Sequence, residues 1–170
     1  MNIILKAASL AREAHAGQRR KYNDAPFVVH PARVAGRVAV HPRATKAMVV
    51  AAFLHDLVED TPYTLDDVSA AFGSEVAQLV GELTNTSKGS QAPRQERKRQ
   101  DRERLAQISD EAKIVKLLDP IDNVLDMGNA PKGFRDKYCA ESRLLVEVIG
   151  DADPELRAEL LDLVERLEQK

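Results

Sequence analysis

The chain has a single cysteine, Cys139, among 170 residues. No internal disulfide can staple it, and the scarcity of thiols fits a reducing cytoplasm. A lone cysteine reads first as a small buried hydrophobe rather than as a nucleophile. No uninterrupted apolar run approaches the roughly 20 residues that a membrane-spanning helix needs. The opening stretch MNIILKAASLAREAH is charged and amphipathic and has no small-residue cleavage site. It is therefore not expected to act as a secretory signal. Charge of one sign is not in excess: the net value is −2, which leaves no global field to draw the chain to nucleic acid or to a membrane. Strand alternation is missing, and so are internal repeats and heptads long enough for a coiled coil.

What is present is helical periodicity. The chain is 44% apolar and 31% charged, an ordinary composition for a protein with one proper core. In residues 3–14, Ile3, Ile4, Ala7, Ala8, Leu10, Ala11 and Ala14 make one apolar face. Gly17, Asn23-Asp24 and Pro26 punctuate a loop over 17–29. His30-Pro31 opens a short helix to about Val38, because proline suits a first helical turn. His41-Pro42-Arg43 repeats the device ahead of a more apolar helix, 43–58, which Pro62 terminates. Thr64 with Asp67 predicts a capping box for the next helix, and Gly73-Ser74 restarts another. Residues 85–93, NTSKGSQAP, read as a polar loop. Further helices are expected at 94–108, at 110–127 with Ser109 or Asp110 as cap, at 134–149 and at 153–168. Pro131-Lys132-Gly133 reads as a turn. The whole is expected to be all-α, one domain over 1–170 with about eight or nine helices.

The stretch FLHDLVEDT, residues 53–61, puts a histidine, three carboxylates and a threonine at the end of a greasy segment. On a continuous helix His55 shares a face with Glu59, and Asp56 with Asp60. His55 and Asp56 lie about 100° apart around the axis, so one cation beside the helix is within reach of both. Glu59 and Asp60 would follow one turn along, where a carboxylate can orient or deprotonate a water. Acidic groups at a helix C-terminus also oppose the macrodipole and call for a compensating cation. A helix end that merely leaves the core collects polar residues too, so the other apolar segments matter. His30 follows three apolar residues in PFVVHP. Asp119 interrupts the apolar run of KIVKLLDPIDNV, where a carboxylate is expensive unless paired or metal-bound. Two imidazoles and two carboxylates suit Mn²⁺, Fe²⁺, Zn²⁺ or Co²⁺ better than Ca²⁺, without choosing among them. Such a site, with room for water and a phosphate oxygen, describes metal-assisted phosphoester hydrolysis.

His30…His55-Asp56…Asp119 resembles the H…HD…D signature of the HD-domain phosphohydrolases. AHAGQRRKYNDAPFVVHPARVA, AAFLHDLVEDTPYTLDDVSAAFGSEVAQLVGELTN and KIVKLLDPIDNVLDM resemble successive motifs of RelA/SpoT-type hydrolase domains. The resemblance runs in order over about residues 4–127. The length, with no synthetase or regulatory region, is similar to that of the small alarmone hydrolases, the group that includes the metazoan SpoT homologue. The resemblance implies hydrolysis of the 3′-pyrophosphate of (p)ppGpp with Mn²⁺, releasing pyrophosphate and GDP or GTP. It makes His30, His55, Asp56 and Asp119 the metal ligands, and Glu59 and Asp60 the acidic pair that handles the attacking water. It sets Arg20 and Lys21 against the base and a phosphate, Asn123 near the sugar, and Lys98 and Arg99 toward the substrate phosphates. A charged helix such as RQERKRQDRER is also what a solvated face with internal ion pairs looks like. His15 matches a family position and reads as structural; His41 reads as a turn residue.

Three residues depart from the family pattern. Pro120 stands where a basic residue usually follows the last metal aspartate. Leu118 replaces a small residue, and Tyr22 replaces a small hydroxyl residue beside the nucleotide pocket. They bear on substrate choice, so two alternatives stand beside the alarmone hydrolase. One is a phosphatase on another phosphorylated nucleotide, such as NADPH; the other is a weakly active nucleotide-binding regulator. The stripe Leu156, Leu160, Val164 and Leu167 is expected to pack on the body of the domain, and would also suit a homodimer seam.

Overall fold

The computed structural model describes residues 2–85 and 91–169. Residues 86–90, in the loop expected over 85–93, lie outside the described residues. Among the described residues every regular element is helical, apart from one isolated bridge between Arg19 and Pro26. The all-α expectation holds. The chain divides into two compact units, Met1–Arg20 with Asp24–Thr84, and Lys21–Asn23 with Asn85–Lys170.

The first unit holds α1 (Ile3–Ala14), α2 (Val29–Ala39), α3 (Lys46–Leu54), the single turn α4 (Leu57–Asp60), α5 (Leu65–Phe72) and α6 (Ser74–Leu83). Its centre is α3, KAMVVAAFL, which buries Ala47, Met48, Val49, Val50, Ala51, Ala52 and Leu54. A helix that is apolar all round must be surrounded, and α1, α2 and α6 pack against this one. It starts at Lys46 rather than 43 because the Thr45 hydroxyl accepts the Met48 N–H. The chain before it turns on His41, whose carbonyl accepts the Ala44 N–H and whose Nδ1 accepts the Arg43 N–H.

The capping box is formed as the sequence predicts. The Asp67 carboxylate accepts from the Thr64 backbone N–H at 2.9 Å and from its hydroxyl at 2.8 Å. These bonds hold the Asp67 carboxyl below its ordinary value of 3.8. Because the folded value is the lower one, the stabilisation is complete above about 3.8 and is lost as pH falls through the folded value. Amide exchange at Thr64, corrected for intrinsic rate, is expected to accelerate in that acid window before the core helices open. Gly73, at φ 94°, closes α5 and opens α6, a conformation that costs glycine little.

The second unit holds α7 (Arg94–Leu105), α8 (Asp110–Leu125), α9 (Lys132–Ile149) and α10 (Pro154–Glu168), with 3₁₀ turns at Met127–Asn129 and Gly150–Ala152. α8 packs on α10 and α9 and buries Ile114, Val115, Leu117, Leu118 and Ile121. Ser109 is its cap, accepting the Ala112 N–H. The turn expected at Pro131-Lys132-Gly133 is instead the start of α9. Pro131 is extended, at ψ 139°, and Lys132 is already helical. Proline's fixed φ serves a turn and a helix entry equally, so the residue types did not separate the two. Leu156, Leu160, Val164 and Leu167 are buried within the chain by the packing of α10 on α8 and α9. That stripe packs on the body of the domain, as the sequence suggests. Cys139 is buried with its Sγ 3.8 Å from the Val164 carbonyl, and burial pushes its thiol up. It is the inert hydrophobe the sequence suggested.

Pro120 sits inside α8 without ending it. The ring removes the N–H that would bond the Lys116 carbonyl and crowds that carbonyl. Pro120→Ala is therefore expected to stabilise the protein by about 1–3 kcal/mol. Urea unfolding of the two forms reads that difference directly.

Candidate metal centre and active site

The sequence suggested a continuous helix through 58, but the ladder breaks after Leu54. His55 (φ −61°, ψ −30°) and Asp56 (φ −96°, ψ −4°) keep near-helical dihedrals, and α4 begins afresh at Leu57. This corrects two readings. His55 and Glu59 do not share a face of one helix, and Glu59 and Asp60 do not load the C-terminus of a long dipole, because α4 is a single turn. At this break the two adjacent side chains converge. His55 Nε2 lies 3.2 Å from Asp56 Oδ2.

His55 is buried, and its Nδ1 lies 2.7 Å from the Ala52 carbonyl. A carbonyl only accepts, so Nδ1 carries the hydrogen and Nε2 of the neutral ring presents a lone pair. His30, in the first turn of α2, is buried as deeply, with its N–H bonded to the Phe27 carbonyl. Its Nε2 lies 3.2 Å from His55 Nε2 and 3.8 Å from Asp56 Oδ2. Three ligand atoms thus form a triangle with edges of 3.2, 3.2 and 3.8 Å. A divalent ion with bonds of about 2.0–2.2 Å separates neighbouring ligands by about 2.8–3.6 Å, from octahedral to tetrahedral. Two edges fall inside that range, and the third exceeds it by a few tenths. The donor set is imidazole and carboxylate with no thiolate. His30, His55 and Asp56 can hold a divalent metal ion.

Within α4, the Asp60 N–H bonds the Asp56 carbonyl at 2.9 Å and the Thr61 N–H bonds the Leu57 carbonyl at 3.1 Å. Asp60 is therefore tied by its backbone to Asp56. Leu57 anchors the turn in the core, Glu59 is half-buried and Asp60 is exposed. The Asp60 carbonyl accepts from Gln18 Nε2 at 3.3 Å. Also in this unit, the Arg20 guanidinium lies over the Phe27 ring at 5.9 Å.

The remaining expected residues belong to the second unit. Asp119 accepts from Asn123 Nδ2 at 2.6 Å and from Lys116 Nζ at 3.2 Å. Asn123 thus pairs with the aspartate four residues before it on α8. Lys116 went unnoticed in the sequence; its i,i+3 spacing from Asp119 was the available signal. It puts a positive charge beside the carboxylate in a chain where position 120 has none. Leu118, the bulky replacement, is accommodated with 1% exposure. Lys21 Nζ lies 5.3 Å from the Tyr22 ring centroid and 5.1 Å from that of Phe134, and those rings lie 5.4 Å apart. Arg99 bonds both Glu96 oxygens and Glu103. The guanidinium beside it holds the Glu96 carboxyl down to about 2 and raises Arg99. Arg99 thus has intrahelical partners, the pairing expected of a solvated charged face.

The HD domain family model matches residues 7–146. The chain belongs to the HD domain family. This HD domain is 40% identical over 142 residues to the mouse guanosine-3′,5′-bis(diphosphate) 3′-pyrophosphohydrolase MESH1, covering 81% of this chain and 77% of the mouse protein. The Drosophila melanogaster MESH1 is 35% identical over 164 residues, covering 92% and 90%. Among solved structures, this HD domain is similar to a metazoan orthologue of SpoT described as hydrolysing ppGpp. The TM-score is 0.87 at 32% identity, covering 98% of this chain and 96% of the other.

Proposed function

We propose that this HD domain is a metal-dependent (p)ppGpp 3′-pyrophosphohydrolase that uses Mn²⁺ and releases pyrophosphate with GDP or GTP. The observation that carries the reading is the His30–His55–Asp56 triangle in a chain so similar to enzymes bearing that name. Asp119 is the fourth ligand in this reading, taken from the H…HD…D resemblance. The reading treats residues 1–170 as one hydrolase domain, which the span of the family match, 7–146, supports. It places the enzyme in the cytoplasm. No helix among the described residues is long and apolar enough to cross a membrane.

When bound, the ion supplies Lewis acidity to a water molecule and to phosphoryl oxygens. The residues of the chain do the rest. The His55 Nδ1 bond to Ala52 fixes the ring and its tautomer, so Nε2 stays a donor of electrons. Glu59 takes the proton of the attacking water, and Asp60 orients that water. The water oxygen bonds to the phosphorus carried by the ribose 3′ oxygen as that phosphorus–oxygen bond breaks, so pyrophosphate is released and the ribose oxygen leaves as a hydroxyl by taking up a proton. Arg20 stacks on the purine while keeping its hydrogen-bond donors. Lys21 meets a phosphate, Asn123 faces the sugar, and Lys98 and Arg99 approach the distal phosphates. For Arg99 this requires exchanging Glu96 or Glu103 for phosphate oxygens.

The test is a panel of ppGpp, pppGpp and NADPH with Mn²⁺-loaded protein and product identification. Mn²⁺-dependent pyrophosphate from both guanine nucleotides is expected. Orthophosphate from NADPH alone would reassign the enzyme to another nucleotide, and tight alarmone binding without turnover would make it a regulator.

A further inference from the structure

His15 and Gln18 hold unusual positions for residues outside the metal cluster. His15 caps the C-terminus of α1 and is 3% exposed. Its Nδ1 lies 2.9 Å from Gln18 Oε1, while Gln18 Nε2 donates to the Asp60 carbonyl. The second bond fixes which end of the amide faces which partner. The oxygen is turned to His15, so His15 Nδ1 carries the hydrogen. His15 Nε2 is then a buried acceptor with no hydrogen-bond partner among the described residues. A buried lone pair of that kind is unfavourable, and a phenylalanine would fill the same place against Phe27, whose ring is 4.7 Å away, without it. What phenylalanine lacks is the Nδ1–H. The ring is thus kept for the hydrogen bond it gives to Gln18.

Gln18 is itself held at both ends. Its N–H bonds the His15 carbonyl at 3.1 Å, and its own carbonyl accepts the Phe27 N–H at 3.0 Å. Its amide then donates to the carbonyl of Asp60, the last residue of α4. A four-residue helix has little cooperativity of its own. The same His15 ring leans on Phe27, whose ring in turn meets the His30 ring at 6.1 Å, edge on.

We infer that His15 and Gln18 are positioning residues: they form a brace that fixes the Glu59–Asp60 turn against the metal-binding histidines. The inference rests on the hydrolase reading for its kinetic readout but not for its structural one. His15 orients Gln18, Gln18 pins Asp60, and the acidic pair is held at a constant place relative to His30 and His55. His15 and Gln18 are not members of the His30–His55–Asp56 group.

Four variants test it. Gln18→Met keeps the length and loses both bonds. Gln18→Glu keeps the acceptor for His15 and loses the donor to Asp60. His15→Phe keeps the ring and loses the Nδ1 donor, whereas His15→Asn puts an amide N–H close to where Nδ1 stood. Gln18→Met, Gln18→Glu and His15→Phe are expected to lose about 10–100-fold in kcat, with KM and Mn²⁺ affinity unchanged. His15→Asn is expected to stay near the unmodified protein. Amide exchange at Asp60 and Thr61 should accelerate in the three weakened variants while exchange in α3 and α6 does not. General loosening would instead raise exchange throughout the unit and move KM and metal affinity together. Unchanged exchange at Asp60 and Thr61 in Gln18→Met overturns the brace, as does a loss in His15→Asn equal to that in His15→Phe. If unmodified protein hydrolyses no alarmone, the hydrolase reading fails, and the exchange of Asp60 and Thr61 still decides the brace.

Discussion

His55→Ala is expected to abolish tight Mn²⁺ binding and to lower alarmone turnover by more than about a thousandfold. The substitution removes one corner of the triangle and the edge shared with each of the other two corners, His30 and Asp56. It also deprives the buried Ala52 carbonyl of its donor, a loss of about 1–3 kcal/mol. Stability and metal binding must therefore be measured together. Circular dichroism should show a folded helical protein with a lowered melting temperature, and isothermal titration with Mn²⁺ should show no heat of tight binding. His55→Gln offers a second reading at closer volume, because it can keep a donor toward Ala52 while presenting no imidazole lone pair. If it folds as well as the unmodified protein yet binds no metal, the ligand role is separated from the structural one.

Glu59→Gln is expected to lower kcat by about 10²–10⁴-fold, the usual worth of a positioned general base. Mn²⁺ affinity should hardly change, since Glu59 lies outside the ligand triangle. The amide keeps the shape of the carboxylate and cannot take a proton from water. Of the acidic pair, Glu59 is half-buried and Asp60 exposed, so Glu59→Gln should cost more than Asp60→Asn. Asp60→Asn leaves the Gln18 bond untouched, because that bond goes to the backbone carbonyl. Equal metal affinity with a collapsed kcat in Glu59→Gln, seen in single-turnover kinetics, would place the effect in the chemical step. A loss of metal instead would make Glu59 a ligand.

The parts of the site legible in the sequence were those set by short-range chemistry. The Thr64–Asp67 capping box needs only three residues of spacing, and it is present as read. His55 and Asp56 are neighbours in the chain, so one ion within reach of both was a local inference. Bringing His30 to them was not local. It rested on the cost of burying ligand-type side chains, and the structure joins His30 and His55 across 25 residues. The break after Leu54 was hidden because neither His55 nor Asp56 is a breaker by residue type, and both keep near-helical dihedrals. Lys116 and Gln18 were passed over because a lysine and a glutamine on helical or loop surfaces are ordinary; only their partners, Asp119 and the Asp60 carbonyl, make them unusual. The division at Lys21–Asn23 also had no local signal. That three-residue segment is grouped with the second unit, where Tyr22 meets Phe134, more than a hundred residues further on.

The most direct measurement is pulsed electron paramagnetic resonance of the Mn²⁺-loaded protein, with and without ¹⁵N-labelled histidine. Couplings from two histidine nitrogens are expected, reduced to one in His30→Ala and in His55→Ala wherever residual metal is retained. Bound Mn²⁺ with no histidine coupling would contradict the assignment of His30 and His55 as the ligands that hold the ion.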